Sequence, residues 1–70
     1  MSKNDVLVVL RMLKDGQIEL VTMCGQDVLY NPNMNGGEFE LFDQDGDHIQ
    51  YLAYTDIYEC SDALVRASRR

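Results

Sequence analysis

The sequence predicts an α+β fold: a small antiparallel β-sheet of four to five strands, built on two Asp-Gly hairpins and followed by one C-terminal helix. Three observations predict it. Apolar, β-rich stretches flank Asp15-Gly16, and others flank Asp45-Gly46. Asp-Gly between apolar runs signals a hairpin, because a type I′ turn needs positive φ at both central positions. After Thr55 the apolar spacing changes to that of a helix. At 70 residues the chain is one domain, 1–70. A chain this short buries only about 60% of its unfolded surface.

Taken in order, residues 1–4 read as a frayed start. Val6-Leu7-Val8-Val9-Leu10 is rich in β-branched residues, which favours a strand, and residues 18–23 read as its partner. With Asp15-Gly16 as a two-residue loop, Leu13 faces Ile18, Arg11 faces Leu20, Val9 faces Thr22 and Leu7 faces Cys24. The opposite side pairs Met12 with Glu19, Leu10 with Val21 and Val8 with Met23. Both faces are then substantially apolar, whereas a strand with one wet side alternates. The sheet curls on itself, or a partner or a second copy of the chain covers one face, making a homodimer.

Val28-Leu29-Tyr30 reads as a short third strand. Residues 31–37 form a loop, since Asn, Pro and Gly supply the dihedrals that turns need; Met34 folds back from it onto the core. Residues 39–42 and 49–54 make the second hairpin, pairing Phe42 with Ile49, Glu40 with Tyr51, Phe39 with Leu52 and Asp43 with His48. Phe39, Leu41 and Leu52 form its core face. The helix spans 56–68. Asp56 and Glu59 fit a capping box, Ile57, Cys60, Ser61, Leu64 and Ala67 share a face, and the early acids and late bases (Arg66, Arg69, Arg70) complement the helix dipole.

Charge is the strongest signal besides the fold. Net charge is −6, and between Asp15 and Val65 there is no Lys or Arg. Eleven carboxylates occupy that span: Asp15, Glu19, Asp27, Glu38, Glu40, Asp43, Asp45, Asp47, Asp56, Glu59 and Asp62. Such a surface repels nucleic acid and anionic lipid and attracts basic protein surfaces. The longest apolar run, 6–10, falls far short of the roughly 20 residues that cross a bilayer. The expectation is a cytoplasmic protein with no membrane association and no direct nucleic-acid binding.

No cofactor or catalytic residue is expected. The chain has no P-loop, dinucleotide fingerprint, paired Cys ligands or nucleophile elbow. Cys24 and Cys60 match no metal spacing and read as two small core or half-exposed thiols. His48 beside Asp43 and Asp47 is a pH-sensor candidate. Residues 42–47 resemble the opening of an EF-hand calcium loop, with acids at alternate positions. The pattern fails at the sixth loop position, His48, and the twelfth, Tyr54, which leaves Asp43, Asp45 and Asp47 as minor metal candidates.

Tyr30, Tyr51, Tyr54 and Tyr58 are the most interaction-prone side chains, since Tyr is enriched at the energetic centres of interfaces. The sequence therefore predicts a non-enzymatic, acidic protein-binding module. Its binding residues are Glu38, Glu40, Asp43, Asp45, Asp47, Tyr51, Tyr54, Asp56, Tyr58 and Glu59. Its partner is a protein with a basic surface, including one that normally holds DNA, whose charge the module would mimic. In size and charge the chain is similar to small phage proteins that inhibit host machinery. The alternatives are a self-associating structural subunit and a divalent-cation-binding domain.

Overall fold

The computed structural model describes the backbone of residues 2–45 and 48–68, and the side chains of residues 2–43 and 50–68. These residues form two layers. Helices α1 (Lys3–Lys14) and α2 (Ile57–Ser68) pack against each other over one face of a four-stranded antiparallel sheet. Strands β1 (Val21–Met23), β2 (Gln26–Asn31), β3 (Glu38–Asp45) and β4 (His48–Tyr54) lie in space in their sequence order. The α+β class holds, but there are two helices, one at each end.

The first expected hairpin is the main correction: residues 3–14 are helical. Three local features outweigh the strand preference of Val6, Val8 and Val9. Ser2, expected in a frayed start, is the N-cap, its Oγ accepting the Asp5 N–H at 3.3 Å. Val6, Leu10 and Leu13 fall on one face at helical spacing and are buried, with Val9 packed against them, while Val8 stays 55% exposed. At the far end Gly16, at φ 79, donates to the Leu13 carbonyl and Gln17 to the Met12 carbonyl. That pair of bonds is a Schellman motif. Asp15-Gly16 therefore ends a helix; it does not turn a hairpin.

The two-residue hairpin loop lies instead at Cys24-Gly25. Met23 pairs with Gln26 across it, and Cys24 (φ 54) and Gly25 (φ 75) both take the left-handed conformation a type I′ turn requires. β1 is shorter than the 18–23 expected, and the third strand, expected at 28–30, is β2.

The second hairpin exists with a shifted register. Phe42 pairs with Tyr51, Glu40 with Ala53, Phe39 with Tyr54 and Asp43 with Gln50. Each partner lies two residues beyond the expected one. An even shift leaves every side chain on its face, so Phe39 and Leu41 are still buried in the core. The ladder continues to Asp45 and His48, so Asp45 belongs to the strand. Residues 46 and 47 lie outside those described.

α2 starts where the Asp56 signal places it. The Asp56 carboxylate accepts the Tyr58 N–H at 2.9 Å, and its carbonyl accepts the Cys60 N–H at 3.0 Å. Cys60, Ser61 and Leu64 of α2 are buried; Cys60 and Leu64 join Val6, Leu10, Leu13, Met23, Val28, Phe39 and Leu41 in one core. Burial pushes the Cys60 thiol up to about 12, and both cysteines are free.

Candidate protein-binding surface

Strand alternation sorts the sheet into two faces. One row of cross-strand partners is Val21, Val28, Leu41 and Leu52, and the next is Tyr30, Phe39 and Tyr54. These point towards the helices. The intervening rows are Thr22, Asp27, Phe42 and Tyr51, then Leu29, Glu40 and Ala53, then Asn31 and Glu38. They form the outer face, over which no described element packs.

The centre of that face is a polar cluster around Tyr51. Its hydroxyl lies 2.9 Å from Glu40 Oε2 and 3.1 Å from Glu38 Oε1. A phenol has one proton, so it serves one carboxylate fully at any moment, and the shorter contact favours Glu40. The second Glu38 oxygen accepts from Asn35 Nδ2 at 3.1 Å. Glu38 is only 4% exposed although it lies on the outer face. It is thus a buried carboxylate held by the Asn35 amide and shared with Glu40 by the Tyr51 phenol, with no cation beside it among the described residues.

The hydrogen bond to Glu40, then desolvation and the Glu38 carboxylate, push the Tyr51 phenol up to about 12. Phe42 stacks on Tyr51 at a ring separation of 5.3 Å and a tilt of 54°. On the same face the Thr22 hydroxyl donates to Asp27 Oδ1 at 2.6 Å. The arrangement presents carboxylates and a phenol oxygen around a half-exposed aromatic ring. Chemically it can accept hydrogen bonds from, and neutralise, ammonium or guanidinium groups.

The structure gathers only part of the expected binding set. Glu38, Glu40 and Tyr51 meet. Tyr54 turns towards the helices and packs against the core. Asp43 pairs with Gln26 and Gln50 and so falls on that same inner side. Asp56 caps α2, with exposed Tyr58 and Glu59 in its first turn. Asp47, and the side chains of Asp45 and His48, lie outside the described residues, so the pH-sensor and cation readings rest on groups not described. Among the described residues no three His, Cys, Asp or Glu come together to hold a metal ion.

Sequence reasoning missed Asn35, Phe42 and the Thr22–Asp27 pair. The signal for Phe42 was present: Glu38, Glu40 and Phe42 follow the period-two spacing of one strand face. Asn35 reaches Glu38 only through the loop's own geometry, with Asn35 at φ 54.

Charge also divides by layer. Lys3, Arg11, Lys14 and Arg66 lie on the helices. Residues 21–54, which hold every strand, contain six carboxylates and no Lys or Arg. Between the layers, Leu41, Leu52 and Tyr54 of the sheet and Ala63, Arg66 and Ala67 of α2 line an open cleft of about 270 Å³. Gln26 lines it too, 6% exposed, with no partner for Oε1 among the described residues. Among the described residues no helix is long and apolar enough to cross a membrane. No protein-family model matches the chain, and neither does any curated protein or solved structure.

Proposed function

We propose that this protein is a non-enzymatic acidic module whose outer sheet face binds a basic site on another protein, one that holds nucleic acid included. A single observation carries the reading: the strand region has no cation, and its uncovered face groups Glu38, Glu40 and Asp27 with Tyr51 and Phe42. Acids beside half-exposed aromatic rings suit Arg and Lys, which can pair with the carboxylates and lie over the rings. The carboxylates of α2 have Lys3 and Arg66 among them, so the helical layer offers a mixed field and the sheet a single-signed one. Self-association argued from a two-sided apolar hairpin loses its premise, because that stretch is α1.

Capture of partners from a bacterial lysate at low and high salt tests this. The Debye length falls from about 10 Å at 0.1 M to about 3 Å at 1 M. A basic partner should be held at low salt and released at high salt, and Glu40→Lys should abolish capture while the fold persists. A partner held equally by Glu40→Lys, or no partner at either salt, overturns the reading.

A further inference from the structure

Among the described residues the outer edge of β4 is open, since β4 pairs there only with β3. Natural sheets blunt such edges with Lys, Pro, bulges or very short strands. His48–Tyr54 holds no Pro, no Lys or Arg and no acid. The opposite edge differs: β1 is three residues long. Along β4, Tyr51 (48%), Leu52 (41%) and Ala53 are exposed. Leu52 faces the helices, yet α2 leaves it uncovered, and the cleft lies there between Leu41, Leu52, Ala63 and Ala67.

We infer that β4 takes up an extended segment of a basic partner as a fifth strand, laid along its free edge beside α2. Main-chain hydrogen bonds to β4 would supply sequence-independent affinity, and alternate side chains would supply specificity. Side chains on one face of the added strand lie against Leu52 and the cleft, which selects apolar residues. Those on the other face lie beside Tyr51 and Glu40, which selects Lys or Arg. Two strand spacings, about 10 Å, separate β3 from the added strand, a gap that a lysine and a glutamate side chain together span. A second copy of the chain fits this edge poorly. It brings a further charge of −6 and no base from its own β4.

This inference rests on the acidic-module reading and adds a mode of binding to it. The test uses two capped heptapeptides of equal charge, one alternating lysine and valine, the other with its central valine replaced by proline, which cannot extend a ladder. They are titrated into the full chain at low salt and followed by amide shifts and amide exchange. The alternating peptide should bind at least tenfold more tightly than the proline one and protect the amides of Tyr51 and Ala53, which alternate with the amides that bond to β3 and so point to the free edge. Equal binding of both, with shifts around Glu38, Glu40 and Asp27 and none along β4, overturns strand addition and leaves the acidic module standing. Failure of both to bind overturns the two together. A dimer with β4 amides already protected in the free protein assigns the edge to a second copy and overturns the inference.

Discussion

At the scale of single residues, Tyr51 links stability to the site. Its phenol is held protonated by Glu40 first and by desolvation and Glu38 after it, so its folded pKa of about 12 stands above the ordinary value near 10. A raised pKa favours the protonated folded state. The contribution is therefore complete below pH 10 and lost as pH rises from about 10 to about 12. Tyrosinate absorbance at 295 nm should show a late step near pH 12 from Tyr51. Tyr51→Phe should remove that step, and Glu40→Gln should move it down towards 10. If the late step survives in Tyr51→Phe, the cluster does not hold the phenol as described. The same residue shows what the sequence could convey. Alternation along β3 is enough by itself to make Glu38 and Glu40 neighbours on one face. That both converge on Tyr51 depends on the register, and a two-residue shift of β4 is invisible to a pattern of period two.

At the scale of elements, α1 shows how a correct signal is misread. Valine's strand preference is a weak prior that tertiary context overrides. Ser2, the Val6-Val9-Leu10-Leu13 spacing and Gly16 all agree on a helix, but Asp15-Gly16 serves a helix end as readily as a hairpin tip. The turn at Cys24-Gly25 is hidden because a Cys at positive φ carries none of the usual Asn or Asp signal. α2 is legible because cap, periodicity and charge order coincide in it. Val8 separates helix from hairpin by experiment. In the hairpin it lies between apolar neighbours; in α1 it faces solvent and precedes Arg11 by three positions. Val8→Glu should shift stability by no more than about 0.5 kcal/mol, as surface changes do. Val6→Glu, which puts a carboxylate into the core, should cost more than about 4 kcal/mol. Urea midpoints of the two variants check this, and a large loss for Val8→Glu would contradict the helix.

At the scale of the whole molecule, the two layers carry different electrostatics, and one set of carboxylates acts in opposite directions. The helical layer has a cross-helix ion pair, Lys3 to Asp62 at 2.8 Å, which holds the Asp62 carboxyl below its ordinary range. Both partners are about half exposed, so screening leaves it little weight in stability. The strand region has six carboxylates and nothing to offset them. Self-repulsion of that kind destabilises a compact state and is relieved as salt shortens its range. The melting temperature should therefore rise between 0.05 and 0.5 M sodium chloride, while affinity for a basic partner falls over the same interval. Repulsion within the sheet and attraction across its outer face both draw on Asp27, Glu38 and Glu40, so screening weakens both. A melting temperature that fell with salt would mean that local ion pairs, Lys3–Asp62 first among them, outweigh the repulsion. The sheet would then not be the single-signed surface that binding a basic partner requires.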